Sequence, residues 1–244
     1  MNSMFMNIAH RGASQYAPEN TMAAFYKSLE MGANGLETDL RKSKDGVIIL
    51  HHDEQLERTT NGTGRPSDYT WKQLQMLDAG SWFSEMYRGE RLVSFDTFLY
   101  VFGGKPIHLA LEMKESGIEN EVIQILKEHE ELMEKVTITS FDFEILQTIR
   151  QRHDSVRLGH LVRQWDEEHL KRLQEIGVIQ ICPPAETVTP EGVRLLKQHG
   201  FEVRAWKVVN ESMMKHCLRS GVDGMTINYP DKLNDALQSN VYNL

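Results

Sequence analysis

The sequence predicts a (β/α)8 TIM barrel carrying one small insertion. Eight short runs rich in β-branched and apolar residues alternate with eight amphipathic stretches, the pattern of parallel strands buried on both faces beneath a layer of helices. Several amphipathic stretches open on a capping residue and close on glycine, as helix ends do. A chain of 244 residues also matches the usual size of this fold, about 250 residues. Periodicity does not show closure, so an open doubly wound sheet is the alternative.

The elements follow in order. A first strand is expected at about 5–9 and a first helix at about 21–32, entered at Asn20 and left at Gly32. The second strand, about 35–40, runs into Asp45-Gly46 and then VIIL, a strong hairpin signal. Pairing Lys44 with Val47 across that turn sets His52 beside Asp39. Residues 54–94 break the alternation, being rich in Gly, Thr, Asp and aromatics, with one short helix at about 70–77. Trp71, Leu74, Leu77, Trp82 and Phe83 supply apolar material for a packed lobe. The division expected is therefore a barrel from 1–53 and 95–244, with 54–94 inserted between the hairpin of the second barrel strand and the third barrel strand.

Six further strands are expected at about 107–112, 136–140, 156–161, 178–182, 202–207 and 224–228. Before, between and after them come helices at about 95–102, 119–132, 142–153, 166–176, 189–199, 211–220 and 230–238. Ser140 or Asp142 caps the third of these, Thr189-Pro190 opens the fifth, and Gly177, Gly200 and Gly221 suit C-terminal positions.

Charge narrows the function classes. Lys and Arg number 27 against 35 Asp and Glu, a net charge of -8 without any long basic run, which argues against a nucleic-acid partner. No stretch of eighteen apolar residues and no charged leader before an apolar region is present, so neither a membrane span nor a signal peptide is expected. Cys182 and Cys217 lie in unlike settings and read as two buried thiols of a cytoplasmic protein. A small-molecule substrate and a monomer or homodimer suit this composition.

Chemistry concentrates at expected strand ends. Glu37 and Asp39 are two apart on one strand, so both point to the same side. Burying like charges together calls for a cation or a proton. Glu112 ends the third barrel strand, where side chains from different strands converge, and can complete an oxygen set suited to Mg2+ or Ca2+. Lys114, two residues on, can meet an anion, as can the guanidinium of Arg11. His10 and His52 can exchange protons near neutrality, whereas His51, on the opposite strand face, reads as packing. The chain lacks a serine elbow, a P-loop and a GxGxxG fingerprint.

The strings IAHRGASQYAPENT at 8–21, LETDLRKSKDGVIILHHDEQLERTTNGTG at 36–64, DAGSWF at 78–83, LEMK at 111–114 and GVDGMTINYP at 221–230 resemble the glycerophosphodiester phosphodiesterase family over essentially the whole chain. The resemblance implies a TIM barrel that hydrolyses glycerophosphodiesters to glycerol 3-phosphate and an alcohol. It further implies acid-base catalysis by His10 and His52 and one divalent cation on Glu37, Asp39 and Glu112. Arg11 and Lys114 would contact phosphate, and Phe141 and Trp206 would line a substrate pocket. The chain departs from the family pattern at Lys207 and Asn228, where a small polar residue and an aspartate are usual.

Overall fold

The computed structural model describes residues 4–239. Its strands are β1 (Met6–His10), β2 (Gly35–Lys42), β3 (Ile48–Leu50), β4 (His108–Met113), β5 (Val136–Ser140), β6 (Arg157–Leu161), β7 (Gln180–Cys182), β8 (Glu202–Val208) and β9 (Gly224–Ile227). All but β3 run parallel in the ring order β1-β9-β8-β7-β6-β5-β4-β2, and β1 pairs with β2. The sheet is therefore closed, and the open alternative falls away. β1 occupies the edge of β2 from Gly35 to Glu37, while β3 pairs antiparallel with Leu40–Lys42. The hairpin thus stands above the end of β1, at the C-terminal mouth.

The helices are α1 (Met22–Glu30), α2 (Trp71–Leu74), α3 (Phe95–Phe102), α4 (Glu119–Lys127), α5 (Phe143–Arg152), α6 (Glu167–Glu175), α7 (Pro190–Gln198), α8 (Glu211–Ser220) and α9 (Pro230–Gln238). Their apolar faces close the main core against the strands, with Phe25 edge-on to Phe98 and Phe102 at 4.8 and 5.7 Å. Thr189 caps α7 ahead of Pro190, Asp142 rather than Ser140 caps α5, and Gly221 ends α8 in the left-handed region. The expected helix at 119–132 stops at Lys127, and a short 3-10 turn follows at Glu130–Leu132. None of these helices is long and apolar enough to cross a membrane.

Two local expectations are corrected. Leu40 faces Leu50, and the Ser43 amide donates to the Val47 carbonyl, so the hairpin loop holds three residues rather than two. Asp45 fixes this longer loop by accepting from the Ser43 hydroxyl and from the Trp71 amide, and Gly46 takes the positive φ of 87° that it needs. The register moves by one residue, so His51, not His52, bonds the Asp39 carbonyl through its amide. Second, α1 is capped by Thr21, whose hydroxyl accepts from Ala24, and not by Asn20.

Between β3 and α3 the chain builds a second apolar cluster of Ile49, Leu56, Leu74, Ala79 and Leu92, flanked by Tyr69, Trp71 and Leu77. The helix expected at 70–77 shortens to α2. Trp82 and Phe83 stand outside this cluster, packing edge to face with each other at 5.6 Å while Trp82 remains exposed.

Candidate functional site

The strand ends converge on a cavity of about 240 Å³ at the mouth of the barrel, lined in part by His10, Arg11, Glu37, His52, Glu112 and Lys114. Parallel pairing places Asp39 directly beside Glu112 and His10 beside Glu37, and the two-residue period turns Glu37 and Asp39 to the same side. Ligand oxygens of Glu37, Asp39 and Glu112 all lie within 4.8 Å of one another, and all three residues are buried.

This cluster is only partly compensated. Asp39 is fully inaccessible; its Oδ2 accepts from Asn20 Nδ2 at 3.0 Å and lies 3.2 Å from Arg11 Nε. Among the described residues its Oδ1 has no hydrogen-bond partner, and Lys114 Nζ comes no nearer than 3.8 Å. Burial opposes ionisation of Asp39, but Arg11, then Lys114 and Asn20, overcome it and hold the carboxyl down at about 2. Glu37 behaves oppositely: burial, then Asp39 and Glu112, push it well above the usual carboxylate range. Burial and Asp39 also raise Glu112, against the 2.7 Å ion pair with Lys114. Three buried oxygen donors with an orphaned carboxylate atom among them fit a hard divalent cation.

The loop after β1 is bent to serve this cluster. Arg11 takes φ of 56°, a conformation uncommon for residues other than glycine, and its amide donates to Glu37 Oε2 at 2.9 Å. At Gly12, with φ of 83°, a β-carbon would meet Ala24 at 2.6 Å. Asn20 also has φ of 56°; it bridges Thr38 and Asp39 instead of capping a helix. Glu19 receives Arg11 at 2.9 Å and a two-pronged contact from Arg58 at 2.8 Å, and Arg58 grips Asp53 with its remaining face. The sequence position of Arg58 did not reveal its role, since Glu19, the partner that ties it to the β1 loop, lies 39 residues away in the chain.

The expectation that two histidines perform the catalysis is corrected. The candidate catalytic and metal site that the structure assembles is the Glu37–Asp39–Glu112 cluster. Desolvation, reinforced by Arg11, lowers His10 to about 4, and its Nδ1 lies 2.7 Å from Asn228 Oδ1. Desolvation also lowers His52, outweighing Asp39 and the 2.6 Å contact with Asp53. Both rings are held toward the neutral form, whereas an acid-base pair near neutrality requires one of them charged. His51 is buried, with Nε2 3.0 Å from the Gln55 carbonyl.

Phe141 and Trp206 meet edge to face at 5.2 Å on the cavity wall. Ideal alternation would turn Lys207 away from Trp206, but an irregularity in β8 between Ala205 and Val208, with φ of 57° at Lys207, brings both onto the lining. Thr139, Thr226 and Arg204 also line the cavity and had no place in the sequence-based set. For Arg204 the available signal was its place two residues before Trp206 and on the same strand face, between Val203 and Ala205.

The sequence profile described as "Glycerophosphoryl diester phosphodiesterase family" matches residues 10–232. A glycerophosphodiester phosphodiesterase of Caldanaerobacter subterraneus subsp. tengcongensis is 33% identical over 231 residues, covering 93% of this chain and 95% of the relative. The chain belongs to the glycerophosphoryl diester phosphodiesterase family. It is an enzyme of that family. A second relative, a glycerophosphodiester phosphodiesterase of Bacillus subtilis, is 34% identical over 247 residues, covering 93% of this chain and 84% of its own. Among solved structures, an Oleispira antarctica phosphodiesterase in complex with the product sn-glycerol-3-phosphate superposes with a TM-score of 0.88 at 28% identity, covering 95% of this chain and 96% of that one. The glycerophosphodiester phosphodiesterase of Agrobacterium tumefaciens gives 0.83 at 26% identity, covering 93% and 98%.

Proposed function

We propose that this chain hydrolyses glycerophosphodiesters to sn-glycerol 3-phosphate and an alcohol, with one divalent cation, Mg2+ or Ca2+, held by Glu37, Asp39 and Glu112. The observation that carries the reading is the buried carboxylate cluster with the unpartnered Asp39 Oδ1, whose Glu37 and Glu112 line a cavity that Arg11 and Lys114 also line. All-oxygen donors favour these two hard cations over softer ones. A cation bound there would polarise a phosphoryl oxygen and acidify a water molecule.

Hydrolysis adds a water oxygen to phosphorus and breaks the bond to the alcohol oxygen, which departs with a proton, so negative charge builds on the non-bridging oxygens. Arg11 and Lys114 supply positive charge to those oxygens, most strongly in the transition state. Phe141 and Trp206 give the substrate's carbons an apolar wall. Residues 54–94 act as an inserted lobe beside the mouth, joined to the β1 loop through Arg58 and Glu19. The enzyme works as a monomer or homodimer on a small-molecule substrate. Two free, buried cysteines accord with a cytoplasmic setting.

The test is steady-state product analysis with glycerophosphocholine, glycerophosphoethanolamine, glycerophosphoglycerol and a lysophospholipid, each with Mg2+, Ca2+ or chelator. Glycerol 3-phosphate should appear from the three deacylated diesters and only with cation. Release of a phosphorylated head group and free glycerol, or faster cleavage of the lysophospholipid, would overturn the reading.

A further inference from the structure

The cavity has a cation at its floor that the reaction outlined above does not use. Arg204 is 2% exposed yet lines the cavity. Its Nε donates to Gln180 Oε1 at 2.7 Å, one terminal nitrogen donates to the Thr226 hydroxyl, and the other, Nη2, has no hydrogen-bond partner among the described residues. Both partners are neutral, and neighbouring Cys182, its thiol pushed up by burial, offers no counter-charge. Arg11 and Lys114, by contrast, each pair with carboxylates. A guanidinium stays protonated in a protein, and leaving one buried with an idle donor is costly unless a ligand completes it.

Position indicates which part of a ligand would do so. β8 stands opposite β4 in the ring, so Arg204 lies across the barrel from Glu112. Trp206, two residues further on the same face, closes the wall above it with Phe141. A diester with its phosphate at the carboxylates extends one arm toward this corner, where aromatic edges suit carbon and the floor offers an N–H donor beside a hydroxyl. We propose that Arg204 is a specificity-determining residue that donates hydrogen bonds to the free hydroxyl oxygens of the glycerol arm and thereby favours deacylated diesters. This rests on the glycerophosphodiester reading and deepens it. Acylation or removal of those hydroxyls would leave Nη2 idle.

The experiment compares kcat/KM of the cation-loaded full chain for glycerophosphocholine and for propylphosphocholine, which lacks both hydroxyls. Bis(p-nitrophenyl) phosphate reports the hydrolytic machinery. Wild type should prefer glycerophosphocholine by about 10- to 100-fold, the range for a hydrogen bond from a charged donor. Arg204→Met should bring that preference to within about threefold, chiefly through KM, and Arg204→Lys should recover part of it, as hydrogen bonds from a cation can. Melting curves establish that the variants fold. A folded Arg204→Met enzyme with the wild-type preference would overturn the proposal, as would an equal loss on both phosphocholine substrates. Equal wild-type kcat/KM for the two would overturn it without any variant. If wild type cleaves bis(p-nitrophenyl) phosphate but neither phosphocholine, the glycerophosphodiester reading itself fails, and this proposal with it.

Discussion

Glu37→Gln should stabilise the cation-free protein and cost it its cation. Glu37 is buried and its carboxylate lies within 4.8 Å of two others. At an effective dielectric near 20, one such pair repels by about 3.5 kcal/mol, before Arg11 offsets it through its charge and its 2.9 Å amide contact. Glutamine keeps the shape and the acceptor while removing the charge. A net gain of about 1–2 kcal/mol corresponds to a rise in Tm of about 2–8 °C for a chain of this length. Because the folded-state pKa of Glu37 is raised, its carboxyl is tolerated below the unfolded value of about 4.3, and stability is lost as pH rises above it. The variant's advantage should therefore be clear at neutral pH in chelator and vanish near pH 4. With cation at a hundred times Kd, wild type gains about 2.7 kcal/mol and the variant far less, so the order of Tm inverts. Differential scanning calorimetry with and without cation reads all four states. A variant less stable than wild type in chelator at neutral pH, or one that gains equally from cation, would refute the reasoning.

Arg58→Met should cost about 1 kcal/mol, discounted because the side chain is 43% exposed, and should speed tryptic cleavage within residues 54–94. Burial opposes ionisation of Glu19, but Arg58 and Arg11 win and depress its pKa, so this stabilisation is present above the unfolded value and fades as pH falls. The Tm gap between wild type and variant should accordingly shrink on acidification; a constant gap would show that Glu19 is not its source. Gly12→Ala must place a β-carbon 2.6 Å from Ala24 at φ of 83°, and should lose about 2 kcal/mol or more; chemical denaturation with an unchanged midpoint would contradict that geometry.

Much of this was legible because strands buried on both faces leave continuous apolar runs, and because a period of two fixes which side chains share a face. Glu37 and Asp39 were placed correctly on that ground alone. The hairpin register was not, since the choice between a two- and a three-residue loop was made by a distant contact, Asp45 to the Trp71 amide. Asn20 read as a cap because it precedes a helix; Thr21 takes that task, and the buried Asp39 and Thr38 claim Asn20. The histidines misled for a related reason. Their type and spacing suggest proton transfer, but protonation depends on desolvation and neighbouring cations, which only the closed barrel supplies. Arg204 was hidden in β8 between Val203 and Ala205, and as one of three charged residues in that strand, with Glu202 and Lys207, it did not stand out.

The most direct test of the account is the release of sn-glycerol 3-phosphate from glycerophosphocholine by protein stripped with chelator and then titrated with Mg2+ or Ca2+, in wild type and in folded Asp39→Asn and Glu112→Gln variants. Stripped wild type should be inactive and recover in step with calorimetrically measured binding of one cation per chain, while both variants bind the cation more weakly and lose turnover at least about a hundredfold, as expected when charge stabilisation at the reacting phosphate is removed. Full turnover in chelator, or a folded variant with wild-type cation affinity and rate, would contradict a carboxylate-held cation as the centre of this enzyme.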